Sequence, residues 1–193
     1  MFIELTDHLR CPAEHDEAFL VLLPDAVDDR GVRSGMLGCP VCQAEYRIAD
    51  GVVRFGEAPH PAGAPPLRAE AVHAFLGLSG PGGYAALVGD VAGVLPDLVG
   101  LDPGVHFAAI DAPAGVTESR AVSVLLADRI PFKRASLRGV VLGGGYGGDD
   151  RWVGEARRVL LPGLRMAGSG PAPERADVQV LAEADGWWVG VGK

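Results

Sequence analysis

Cys39 and Cys42 stand in Cys-Pro-Val-Cys, a spacing that lets both thiolates point at one metal ion from a single tight turn. A tetrahedral Zn²⁺ site needs two more ligands from a second turn far away in sequence, and Cys11 supplies the third. The fourth must lie near Cys11. His15, at Cys-x-x-x-His, is the best chemical candidate, with Glu14 behind it and Asp16 a poorer choice. Two ordinary buried cysteines and a redox pair are the rival readings. A redox Cys-x-x-Cys sits at the start of a helix, whereas Cys42 is followed by Gln-Ala-Glu-Tyr-Arg-Ile, a strand with a turn behind it. Three cysteines form no even disulfide set, and two of them lie in one Cys-x-x-Cys, which in a reducing compartment points to metal or redox chemistry.

A second stretch able to do chemistry is residues 84–111, YAALVGDVAGVLPDLVGLDPGVHFAAID. It reads as strand, Gly turn, short helix and second strand ending in Asp111. In a nucleotide-binding half the glycines let backbone approach the ligand, and an Asp after the second strand takes the ribose hydroxyls. Asp128 ends a later strand and is a further candidate. The run Gly-Gly-Gly-Tyr-Gly-Gly at 143–148 lacks Lys and Ser or Thr at P-loop spacing, so a flexible lip over the sheet suits it better than a phosphate loop. His60 is read as exposed and His73 as a surface or packing residue.

The elements that must position these residues follow from pattern. Residues 19–23, FLVLL, have strand character, residues 24–33 read as a hairpin loop, and residues 45–48 lead to an Asp50-Gly51 turn. Knuckle, strand, turn and strand therefore occur twice. Residues 57–66 hold four prolines and no periodicity, a semi-rigid linker. Residues 67–78 predict an amphipathic helix stopped by Ser-Gly-Pro-Gly-Gly, and residues 121–126 and 137–142 predict buried parallel strands. A helix over 149–160, capped by Asp149 or Asp150 and stopped by Pro162-Gly163, precedes a strand at 164–167. The tail, 176–181 and 187–191, is a hairpin about Asp185-Gly186 in which at most one of Trp187 and Trp188 enters the core.

With 193 residues and 48% hydrophobic content, the chain can bury a real core. Residues 1–57 carry 5 Arg against 11 Asp or Glu, while the rest is nearly balanced, so the first segment should repel nucleic acid and suit a basic protein partner. No apolar run approaches the ~20 residues of a membrane helix, and the start lacks a signal peptide's basic and apolar regions, so a cytoplasmic location is expected.

Leu-Arg-Cys-Pro at 9–12 and GCPVCQAEYRIADGVVRF at 38–55 resemble the small zinc-ribbon proteins that bind and activate methyltransferases. The first knuckle departs from their pattern, with Glu14 where a second Cys would stand. Residues 67–193 resemble class I S-adenosylmethionine-dependent methyltransferases through Phe-Leu-Gly-Leu at 75–78, Ala-Ala-Ile-Asp at 108–111, ADRIPF at 127–132, LRGVVLGGG at 137–145 and EARRVLLPGLRM at 155–166. That resemblance implies cofactor contacts at Gly89, Gly93, Asp111 and Asp128. It also marks departures: Leu87 at the family's acid, Val91 at its second glycine, and Arg138 where an acid is expected near the fourth strand.

The expected architecture is α/β: a β-rich zinc ribbon at 1–57, a Pro-rich linker at 58–66, and a reduced doubly wound, Rossmann-like domain at 67–193 with a C-terminal hairpin. The expected function is a non-catalytic accessory or scaffold protein acting through protein contacts. The alternatives are an S-adenosylmethionine-dependent methyltransferase with a divergent cofactor loop and a redox or metal-handling module.

Overall fold

The structure, a computed structural model, describes residues 1–56 and 67–193; the expected linker and His60 lie outside the described residues. Its frame is one mixed sheet of eleven strands, in the order β1-β2-β3-β4-β7-β6-β5-β8-β9-β11-β10. The strands are β1 (Val21–Asp28), β2 (Gly31–Gly38), β3 (Glu45–Ala49), β4 (Val52–Arg54), β5 (Tyr84–Val88), β6 (His106–Ile110), β7 (Val122–Leu126), β8 (Leu137–Leu142), β9 (Leu160–Ser169), β10 (Val178–Ala184) and β11 (Trp187–Gly192). The helices are α1 (Ala69–Leu76), α2 (Leu95–Leu101) and α3 (Asp150–Val159).

β7, β6, β5, β8 and β9 run parallel, and chain order reverses beside β5, as in a doubly wound sheet. Such strands are buried on both faces and read as continuous apolar runs; all five residues of β6 are buried. β1 to β4 form an antiparallel meander, and β4 joins it to the parallel set through Val53 opposite Leu125 and Arg54 opposite Leu126. The cysteine-bearing segment is thus an extension of the same sheet.

Several expectations shift. The loop expected at 24–33 shrinks to Asp29-Arg30 because β1 continues through Pro24 to Asp28 with two register shifts. α3 ends at Val159, and β9 runs from Leu160 straight through Pro162-Gly163, so these residues bend a strand and do not stop a helix. Asp149 caps α3, accepting from Arg151 N at 2.9 Å. Both tryptophans are buried, Trp187 against Phe75 on one face and Trp188 fully enclosed on the other, because β11 lies between β9 and β10 and both of its faces are covered.

α1 and α2 cover one face of the sheet. α3 covers part of the other. The connections β6–β7 (residues 111–121) and β7–β8 (residues 127–136) carry no helix. The N-terminal segment fills that space: Met1, Leu5 and Leu9 are fully buried in one core with Ala108, Ile110, Leu125 and Phe132. Phe2 stacks on His106 with ring centroids 4.7 Å apart and donates its backbone N–H to Ser123 Oγ at 2.9 Å. His8 packs on Tyr84 at 4.2 Å. Among the described residues no helix is long and apolar enough to cross a membrane.

His106 lies beneath this segment, bonded to Ser123 Oγ at 3.0 Å and to Arg120 O at 3.2 Å, and burial holds its imidazole down to about 4. The unfolded chain restores a value near 6.5. Between these values the unfolded state binds more protons, so stability falls as pH drops through that window. Urea titrations above and below it should show a loss of about 3 kcal/mol that His106→Gln largely removes; equal losses in both proteins would show that other groups carry the acid sensitivity.

Candidate metal centre and cofactor edge

Cys11, His15, Cys39 and Cys42 meet where the first turn folds onto the second, and their ligand atoms all lie within 4.8 Å of one another. Cys11 Sγ is 3.6 Å from Cys42 Sγ, and Cys39 Sγ is 3.5 Å from His15 Nε2. A tetrahedral Zn²⁺ with bonds of about 2.3 Å to sulfur and 2.0 Å to nitrogen sets S···S near 3.8 Å and S···N near 3.5 Å. The Cys11–Cys42 and Cys39–His15 spacings match such an ion, and the donor set is of the right chemistry and number to hold it. His15 Nδ1–H donates to the Asp16 carbonyl at 2.6 Å, which leaves Nε2 as the lone-pair nitrogen facing the cysteines. Glu14 and Asp16 are exposed and outside the cluster.

The local fold explains the convergence. Gln43 N donates to Cys39 O, and Cys39 N to Ala44 O, closing the second knuckle; Cys11 N donates to Ala18 O, closing the first. Burial pushes the Cys39 thiol up, but hydrogen bonds from the backbone N–H groups of Cys42 and Val41 outweigh it and bring the value to about 7. Burial raises the Cys11 thiol, which sits 3.1 Å from the Tyr46 hydroxyl. Tyr46 lies behind the cluster and packs on Phe55; its place in the strand after the knuckle was the signal that could have identified it.

Beside Cys11, Arg10 is buried and reaches Glu155 of α3 at 3.5 Å. Arg158 holds the same carboxylate through two nitrogens at 3.0 and 2.8 Å and donates to the carbonyls of Phe132 and Ile130. Burial alone would raise the Glu155 carboxyl, but Arg158 and Arg10 hold it below its usual value.

The second candidate site lies at the C-terminal ends of β5, β6 and β8. Gly89 has φ +78, and a Cβ built there would come within 2.8 Å of the Tyr146 ring. Only glycine fits, and what approaches it is a side chain of this protein. The Tyr146 hydroxyl donates to Asp111 Oδ2 at 3.3 Å, while Ala127 N donates to Asp111 Oδ1 at 3.0 Å. Asp111 is 2% exposed. Val91 is fully buried against Gly143, where a Cβ would stand 2.9 Å from its own.

In the Gly-rich run at 143–148, expected as a flexible lip, Gly143, Tyr146 and Gly147 are buried while Gly144, Gly145 and Gly148 are exposed. Trp188 Nε1 donates to Gly147 O at 3.1 Å, and Gly147 lies so close to the Ser169 backbone that a Cβ would meet it at 2.4 Å. Tyr146 also meets Trp152 edge to face at 4.6 Å. A tyrosine set among five glycines was the signal for this plug, because only its ring can fill the space they leave. Gly93 is half-buried in the short 3-10 helix after β5, and Asp128 is exposed beside Gly56. Asp90 faces inward, its Oδ1 next to Gly143 and Gly144 and buried with no hydrogen-bond partner among the described residues. Arg138 turns away to the carbonyls of Ser79, Gly80, Pro81 and Gly82.

No protein-family model and no curated protein matches the chain. Solved structures do. One is from the complex between the Haloferax volcanii Trm112 methyltransferase activator and the putative methyltransferase: 20% identity over 52% of this chain and 51% of that one, TM-score 0.43. A SAM dependent methyltransferase from Aquifex aeolicus is similar at 21% identity over 64% and 87%, TM-score 0.45. A putative S-adenosyl-L-methionine-dependent methyltransferase from Methanococcus maripaludis is similar at 12% identity over 65% and 83%, TM-score 0.46. The chain spans about half the length, or less, of the first solved structures it matches.

If Tyr146 is a structural plug, Tyr146→Ala should lower the unfolding free energy by about 3 kcal/mol through the cavity it leaves. Tyr146→Phe, which removes one hydrogen bond, should lower it by about 1 kcal/mol. Urea unfolding measures both, and a neutral Tyr146→Ala would show that the ring does not fill the edge.

Proposed function

We propose that this chain is a non-catalytic accessory protein: a zinc-stapled ribbon at 1–57 built onto a methyltransferase-like α/β unit at 67–193, acting through protein contacts. The observation that carries the reading is Tyr146. Its ring takes the space over Gly89 and its hydroxyl takes one oxygen of Asp111, while Ala127 N takes the other. A nucleoside would have to displace all three, and Val91 lies where backbone should touch the rest of the cofactor. Gly89, Gly93, Asp111 and Asp128 are then the skeleton of a cofactor site and not a working one. Cys11, His15, Cys39 and Cys42 hold Zn²⁺ for stability, since ~55 acidic residues have little core of their own. The ribbon's acidic surface favours a basic protein partner over nucleic acid and fits a cytoplasmic setting.

One observation favours a second reading. The buried, unpartnered Asp90 Oδ1 sits at the strand ends and could accept from a ligand amino group in the place of the carboxylate that Leu87 lacks. The alternative is thus a methyltransferase with a divergent cofactor loop.

Calorimetric titration of the full chain with S-adenosylmethionine separates the two. The accessory reading expects no binding at up to millimolar ligand, and micromolar binding abolished by Asp111→Ala would overturn it. Metal analysis should find close to one zinc per chain, and His15→Ala should lower both zinc content and Tm. Unchanged zinc in that variant would remove His15 from the ligand set.

A further inference from the structure

We propose that β1 is a docking edge for an extended segment of another protein, apolar at alternate positions and carrying Lys or Arg at its ends. The inference rests on the accessory reading and names the chemistry of its partner. β1 ends the sheet, with β2 as its one partner strand among the described residues. Burial alternates along residues 18–23: Ala18 and Leu20 are buried and Leu22 is half-buried, whereas Phe19, Val21 and Leu23 are 59, 43 and 57% exposed. Alternate residues of a strand share a side, so these three form an apolar stripe on the outward face. Phe19, bridged to Arg10 through its backbone, keeps its ring outside. Val27 and Val41 add exposed apolar surface to the same ribbon. Scattered surface apolar groups are ordinary; a stripe on an edge strand is an invitation to pair.

Charge selects the occupant. Exposed Glu14 and Asp16 precede the stripe and exposed Asp25 follows it. A second copy paired antiparallel about Val21 would set Glu17 opposite Asp25, and a parallel copy would set every acid beside its twin; like charges directly opposite destabilise a strand pair. The far edge of the sheet, β10, carries exposed Glu183 and a register shift between Val180 and Ala182, so head-to-tail pairing meets the same repulsion. A basic-ended segment satisfies both the stripe and its flanks. Pro24 has no N–H and the register with β2 shifts after it, and Phe19 is already bridged to Arg10, which confines backbone pairing to residues 20–23.

Fluorescence anisotropy with the full chain tests this, using a labelled peptide of sequence Lys-Lys-Val-Thr-Val-Thr-Val-Lys-Lys and a twin with Glu in place of each Lys. The Lys-ended peptide should bind at least tenfold more tightly than its twin. A variant carrying Val21→Lys and Leu23→Lys, checked for an unchanged circular dichroism spectrum, should lose that binding. Val180→Lys on the far edge should retain it. Equal affinity for both peptides, no binding of either, or binding that survives the double variant would overturn the proposal. So would sedimentation showing a dimer of the wild-type chain that the double variant abolishes, because the occupant would then be a second copy. These outcomes are independent of the cofactor titration: peptide failure leaves the closed cofactor edge standing, and cofactor binding leaves the peptide result to be read alone.

Discussion

Parallel strands must be covered on both faces, and this chain has too few crossover helices to do it. α1 and α2 close one face, but the connections into and out of β7 carry no helix. The open half of the other face is closed by Met1, Leu5 and Leu9, with Phe2 on His106 and His8 on Tyr84. Burying side chains of this size is worth roughly 1.5–3 kcal/mol each, so the parallel sheet depends on the segment that leads into the ribbon. The pairing of β4 with β7 extends the same dependence to the backbone. The antiparallel meander β1 to β4 and the parallel strands form one continuous sheet.

That continuity links the cluster of Cys11, His15, Cys39 and Cys42 to the strand ends around Gly89 and Asp111. Cys11 lies in the Cys/His cluster, and Arg10 beside it reaches Glu155 on α3. Arg158 shares that carboxylate and ties α3 to the 130–132 loop. The first turn of α3 presents Trp152 to the Tyr146 ring, which closes over Gly89 and Asp111. Removing one partner of a buried charged pair costs more than the pair contributes, so the knuckle and α3 are held as one body.

What the sequence disclosed and what it hid divide along physical lines. The spacing within each turn is local, so the convergence of Cys11, His15, Cys39 and Cys42 was legible from residue type and interval. The parallel strands were legible as continuous apolar runs, because a strand buried twice has no polar face. The start of β9 was misjudged because the strand tolerates Pro162-Gly163 as a bend. The second tryptophan was misjudged because whether β11 is an edge strand depends on sheet order, which no short window contains. Tyr146 was hidden for a related reason: its partners Gly89 and Asp111 are distant in sequence, and a glycine required by a ligand looks the same as one required by a neighbouring ring.

The glycine therefore settles less than its place in the turn suggests. At Gly89 the positive φ and the missing Cβ persist, yet the atoms that need them belong to Tyr146. Asp111 likewise keeps its strand-end position in a left-handed backbone, φ 49, with its carboxylate turned to Ala127 N and the tyrosine hydroxyl. At Gly89 and Asp111 the space and the hydrogen bonds are completed from within the chain, by the Tyr146 ring and hydroxyl and by Ala127 N.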